Sequence, residues 1–339
     1  MTGKIQLTAS EIASTWTNYI EDCMSKCVLS YFLKIVEDEE IKPIVQYSYD
    51  LSNAHIEKLT SLFNEEGIPV PVGFTIKEDV NLNAPRMYCD VFILTYINHM
   101  AKVGLLGYSG FLSMSVRDDM RANFMEGLQE TAKLYDLSSQ VALSKGVFVR
   151  APYIDYQTKT DFVDSKKYLS GISFFSKQRP LNAVEISHLY MNIQTNLMGS
   201  KLALSFAQGS PRENIQTYMQ RGRDISKKHV QIFTKTLLDN NIQPPITSDA
   251  SITDSTTPPF SDKLALFQIG FMSASGMGNY ATASAASQRS DLIGNYQRLS
   301  LEIAQYAKDG ADLMIQNSWL EEPPGTTDKQ DLIKKKETK

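Results

Sequence analysis

Apolar residues recur at helical spacing along most of the chain. In the first stretch they fall at Ile12, Trp16, Tyr19, Cys23, Cys27 and Tyr31, one stripe of an amphipathic helix. A second stripe, Ile44, Val45, Ser48, Ser52, His55, Leu59, Leu62 and Phe63, predicts a helix over 40–66, with Pro43 tolerated in its first turn. The Pro-rich stretch from Gly67 to Pro85 cannot be helical throughout. Two more helices are predicted over 87–113 and 116–145.

The pattern then returns. LTASEI at Leu7 comes back as LNAVEI at Leu181, and at the same offset of 174 Asn18 meets Asn192, Phe32 meets Phe206, His55 meets His229 and Pro85 meets Pro259. Beyond Pro85 the offset is 172, pairing Tyr108 with Tyr280, Arg117 with Arg289, Asp119 with Asp291 and Glu130 with Glu302. A register kept this long indicates tandem duplication. The repeats are read as 5–150 and 179–322, joined by a linker at 151–178 and followed by a polar tail at 323–339 that is expected to be disordered. The linker is expected to pack on the surface through Tyr153, Phe162, Phe174 and Phe175. Ser210-Pro211-Arg212-Glu213 reads as a capping box opening the second helix of repeat two, and Ser290-Asp291 as the cap of its fourth.

Lengths predict topology. A helix of about 27 residues spans about 40 Å. Short connections make helices 1 and 2, and helices 3 and 4, antiparallel hairpins. The connection between helices 2 and 3, about 19 residues, reaches about 60 Å and can run back along the bundle. The predicted fold is all-α: two tandem ferritin-like four-helix bundles, each with a long helix 2–3 crossover. The expected cores include Trp16, Phe32, Leu59, Phe63 and Phe124, and Tyr190, Phe206, Phe233 and Tyr296, and the two bundles are expected to pack on each other.

Composition narrows the function classes. The 339 residues carry a net charge of −4 (34 basic against 38 acidic), 42% hydrophobic residues and three cysteines. This balance gives no electrostatic footprint for nucleic acid. Three cysteines cannot build a disulfide framework, and the start has no apolar run of signal-peptide length, so a cytoplasmic protein is expected. The segment 264–287 has no charged residue and is long enough for a membrane span. Gln268, Asn279 and many Ser and Thr predict a packed central helix instead, with no stable membrane span; insertion after a conformational change is the alternative.

Within this pattern, GIPVPVGFTIKEDVNLNAPR, TDSTTPPFSDK, LNAVEISHLYMNIQTN and GNYATASAASQRSDL resemble an uncharacterised family of spore-forming Gram-positive bacteria, similar to spore coat F-type proteins. The resemblance covers nearly the whole chain. It implies two fused ferritin-like bundles and a spore association, with spore-coat proteins or a homo-oligomer as partners. It implies no activity.

A ferritin-like iron or manganese centre needs inward carboxylates on two helices and Glu-x-x-His on the other two. Of the four histidines, His55, His99, His188 and His229, only His188 has an acidic residue three positions earlier (Glu185), where two such Glu-x-x-His pairs in one bundle are needed. Glu21 lies about 180° round the first helix from Ile12 and is expected to point away from the core. Thr195 replaces it in repeat two, and Phe271 stands opposite His99. The expectation is therefore no metal and no cofactor, with His55, His99 and Glu130 as the candidates for a remnant site in repeat one. Cys23 and Cys27 could bind a soft cation, but Leu197 and Lys201 replace them in repeat two, and buried cysteines usually act as small hydrophobes.

His55 and His229 are the best-matched polar residues on an apolar stripe, expected as buried, hydrogen-bonded histidines or as a ligand or proton-transfer site. Tyr108, Arg117 and Asp119, with Tyr280, Arg289 and Asp291, are expected to cluster at the turn between helices 3 and 4, tying the hairpin or holding a small anion. No phosphate loop or nucleophile-base grouping can be argued. The favoured reading is a non-catalytic structural or interaction protein; a metal-dependent oxidase or storage protein and a membrane-active helical protein are the alternatives.

Overall fold

The computed structural model describes residues 5–171, 178–245 and 252–329. Its first half holds α1 (Ala9–Ile35), α2 (Lys42–Glu66), the single turn α3 (Ile76–Asp79), α4 (Asp90–Ser113) and α5 (Asp118–Ser144). The second half holds α6 (Ala183–Gly209), α7 (Glu213–Asp239), α8 (Asp262–Ala286) and α9 (Ser290–Gln316). The chain is all-α in two tandem units, with no strand among the described residues.

The repeated motif at the start of each half explains two local features together. Thr8 and Glu11 form a capping box on α1, as Asn182 and Glu185 do on α6. Glu11 Oε1 also accepts the backbone N–H groups of Val116 and Arg117 (2.9 and 2.8 Å), and Glu185 Oε1 those of Gln288 and Arg289 (3.2 and 3.1 Å). One buried carboxylate per half thus fastens the start of the first helix to the turn before the last. Burial works to raise the Glu11 pKa, but the N–H donors outweigh it and hold it at about 2. At the far end of α2, Gly67 takes the left-handed conformation (φ 67°) that stops a helix.

Two cap expectations are corrected. Helix α7 starts at Glu213, its N-cap Arg212 makes no side-chain capping bond, and Ser210 ends α6. Ser210 Oγ instead accepts the Arg212 N–H (3.2 Å) in a local turn. Ser290 lies inside α9, and its Oγ accepts the N–H of Gly171 (2.8 Å).

End-to-end contacts fix the helix directions. Arg117, before α5, meets Glu66 at the end of α2 (2.8 Å), and the Glu11 bonds put the start of α1 there too. At the opposite end Lys145, after α5, meets Asp38 (2.8 Å), and Tyr31 Oη donates to Pro85 O (2.7 Å) just before α4. Helices α1 and α2 are therefore antiparallel, as are α4 and α5. The segment from Gly67 to Cys89 crosses the full length of the bundle to start α4 at the far end.

The two crossovers lie side by side. Val80 bridges to Phe260 and Tyr88 to Ile252, both antiparallel. Asn81 N–H donates to Pro259 O (2.8 Å), Ser261 N–H to Asp79 O (2.9 Å) and Thr253 N–H to Met87 O (3.0 Å). Both bridges share one register, and the repeat offset of 174 exchanges the crossovers within it, so they are related as by a two-fold axis. Phe260 packs its ring on Tyr31 and Phe206, and Gln268 of α8 donates to Tyr96 Oη of α4 (2.6 Å). The halves share a continuous apolar core through these contacts.

That junction changes several expectations. Trp16 and Tyr190 are only half-buried, and Tyr190 faces a groove between the halves. Phe32, Phe63, Phe124, Phe233 and Tyr296 are buried as expected. Tyr153 and Phe162 of the linker do not pack but are exposed, while Phe174 and Phe175 lie outside the described residues, as do 330–339 of the tail. Among the described residues no helix is long and apolar enough to cross a membrane. The stretch of α8 from Leu264 onward, which carries no charge, instead packs at the junction.

Candidate functional site

Each bundle holds a histidine at mid-height, bound by residues from the facing helices; His229 is buried and His55 half-buried. In the second half His229 of α7 is fully buried. Its Nε2 lies 3.0 Å from Glu302 Oε2 of α9 and its Nδ1 2.9 Å from Tyr280 Oη of α8. Asn196 of α6 donates to the same Tyr280 oxygen (2.7 Å). Every proton then has one place: Asn196 donates to Tyr280, Tyr280 O–H to His229 Nδ1, and His229 Nε2–H to Glu302. Burial lowers the His229 pKa, with Lys228 and Arg298 adding to that effect and Glu302 opposing it, so the ring is neutral.

The first half repeats the frame and alters one member. His55 Nε2 lies 2.8 Å from Glu130 Oε2, and Tyr108 Oη 2.9 Å from His55 Nδ1. Where the second half has Asn196, this one has Asp22, with Oδ2 3.3 Å from His55 Nδ1. Asn18 donates to Asp22 (2.6 Å) and to Tyr108 Oη (3.2 Å). Burial works to lower the His55 pKa, but the hydrogen bonds and charges of Asp22 and then Glu130 raise it to about 9. His55 is an imidazolium donating from both nitrogens. Asp22 feels the same burial in the opposite sense, and its pKa is raised, although His55, Ser52 and Asn18 work to lower it.

The site candidates thus divide. His55, Tyr108 and Glu130 come together, as do His229 and Tyr280, joined by Glu302. His99 does not join them: it sits nine residues before Tyr108 on α4, about 13 Å along the axis, where it is buried with Nε2 unpartnered and its pKa pushed down to about 4 by burial. Tyr108 and Tyr280 point into the bundles, away from the turns where they were expected. Arg117 and Asp119 remain at the turn (Nε to Oδ1, 3.0 Å), with Glu66. Arg289 and Asp291 do the same (3.1 Å), with Asn240 in place of Glu66. All four tie bundle ends together. Asp22, Asn196 and Glu302 were missed, although Asn18 and Asn192 mark the same face one turn earlier.

Glu21 is also corrected. It does not face open solvent, because α8 covers that side of α1. It lines a cavity of about 540 Å³ that enters the first bundle from the junction and reaches Asp22, His55 and Tyr108. The walls are otherwise largely apolar or small, among them Met100, Gly104, Phe111, Leu134 and Phe271, and the rim at Leu106, Ala274 and Gly278 is exposed. In the second bundle the equivalent space is about 50 Å³. Tyr306 and Ile303 stand there in place of Leu134 and Thr131. Tyr306 stacks on Tyr218 (centroids 4.3 Å apart), and each ring seats its hydroxyl against a glycine of the other helix, Gly222 and Gly310.

The donor set does not fit a di-metal centre. Asp22 and Glu130 hold opposite nitrogens of His55 and do not converge, and among the described residues no three His, Cys, Asp or Glu side chains are grouped to hold a metal ion. Burial pushes Cys23 and Cys27 up to about 11 and about 12, leaving protonated thiols packed in the core.

Neither a curated protein nor a solved structure matches the sequence. A family described as "Protein of unknown function (DUF3231)" matches it twice, over residues 1–159 and 170–332, one match for each half. The chain therefore belongs to the DUF3231 family and carries two tandem copies of its unit.

Proposed function

We propose that this chain is a non-catalytic binding protein of ferritin-like topology, in which hydrogen-bonded Tyr-His-Glu sets occupy the place of a metal centre. The first bundle receives a small, largely apolar molecule, and the second is a packed support. The observation that carries this reading is the cavity of about 540 Å³ in one half beside about 50 Å³ in the other. Its volume lies within the range of about 300–1,000 Å³ typical of ligand pockets. The histidines support a binding role over a catalytic one. His55 is already protonated at neutral pH and cannot serve as a base, and His229 has both nitrogens engaged. The spore setting enters through the sequence resemblance alone, and imaging of a tagged chain in sporulating cells tests it.

Fluorescence titration with neutral N-phenyl-1-naphthylamine tests the binding role. Saturable binding near one per chain is expected, weakened at least about tenfold in Gly107→Phe, which projects a ring into the cavity where a Cβ has room. Absence of saturable binding, or equal binding by the folded variant, overturns the reading.

A further inference from the structure

We infer that the first-bundle cavity takes an organic cation, an amine carrying an apolar body. This rests on the binding role above and adds the ligand's charge. Three charged side chains line the cavity: Glu21 and Asp22 from α1 and His55 from α2; the wall residues of α4, α5 and α8 are uncharged. Lys102 and Arg150 line the adjoining groove of about 410 Å³ and not this cavity, and Lys102 lies over the rings of Tyr135 and Phe148.

Asp22 is committed to His55 and Asn18. Glu21 accepts no hydrogen bond from the described residues. Burial first, and then the charge of Asp22, raise its pKa to about 8, so ionising it inside the cavity is costly. An ammonium group supplies what Glu21 lacks, a charge-assisted donor. A carboxylate ligand would instead add a negative group beside Asp22 and, above about pH 8, beside an ionised Glu21 as well, and a neutral ligand would leave the ionised Glu21 unpaired. Phe111, Phe271, Met100 and Leu134 offer apolar surface to the rest of the molecule. The asymmetry of the repeat agrees, since Thr195 replaces Glu21 in the half whose equivalent space is about 50 Å³.

Calorimetric titration of the full chain with n-octylammonium, n-octanol and n-octanoate reads this directly. The ammonium is expected to bind about tenfold more tightly than the alcohol, and octanoate more weakly than either. The preference should grow as the pH rises through about 8, where Glu21 loses its proton. Glu21→Gln should abolish both the preference and its pH dependence while keeping naphthylamine binding. Equal affinity for alcohol and ammonium, or a preference that survives in Glu21→Gln, overturns the cation. If naphthylamine still binds in that case, the cavity reading stands; if it never binds, the binding role falls first.

Discussion

The two bundles hold the same tyrosine, histidine and glutamate around the same four helices, yet they differ in charge and in filling. Asp22 against Asn196 decides the charge. A carboxylate on Nδ1 turns His55 into a cation, whereas an amide that reaches Tyr280 leaves His229 neutral. Leu134 against Tyr306 decides the filling, because the larger ring stacks on Tyr218 and closes the space. After duplication, two substitutions on one frame separate a hollow site with a charged histidine from a filled one with a neutral histidine.

The largest effect is expected from removing the histidines. His55→Ala strands Asp22 beside Glu21 without its cation and should cost about 3–5 kcal/mol at neutral pH. His229→Ala breaks bonds to a neutral tyrosine and a partly exposed Glu302 and should cost about 1–3 kcal/mol. Urea unfolding at pH 7 separates them, and equal losses would refute the difference in charge. The folded pKa of His55 lies above its ordinary 6.5, so its contribution is complete below pH 6.5 and is lost as the pH rises through about 9. The gap between wild type and His55→Ala should narrow over that interval.

A smaller effect tests filling. Gly222 and Ser48 are equivalent positions, and a Cβ at Gly222 would overlap the Tyr306 hydroxyl. Gly222→Ser should lower stability by about 1–3 kcal/mol, while Ser48→Gly, beside open space, should change it by less than about 1 kcal/mol. Thermal unfolding of both variants is the measurement, and similar shifts would mean that the second bundle is not the tighter one.

The third test exchanges the charges with little change in stability. Asp22→Asn should bring the His55 pKa from about 9 to below 6.5, and Asn196→Asp should raise that of His229. Imidazole NMR titration reads both. A His55 that stays above 8 in Asp22→Asn would pass its control to Glu130.

The helices were legible because periodicity and helix stops are local. The expected 40–66, 87–113 and 116–145 became Lys42–Glu66, Asp90–Ser113 and Asp118–Ser144. The histidine frame was half legible, since matching across the repeat picks out His55, Tyr108 and Glu130. The same matching passes over Asp22, whose importance lies in its difference from Asn196. Glu21 was placed on the wrong side because helix rotation describes one bundle, and the covering face of α8 comes from the other. The cavity had no sequence signal of its own, because its volume depends on side chains from five helices.

The paired crossovers carry a consequence for ancestry. A chain with one copy of the unit would expose the edge that Val80 and Tyr88 now present to Phe260 and Ile252. Another such chain could have docked there as an isologous homodimer. Fusing the genes end to end would have made that encounter intramolecular and independent of concentration, and each twin could then diverge without having to recognise itself.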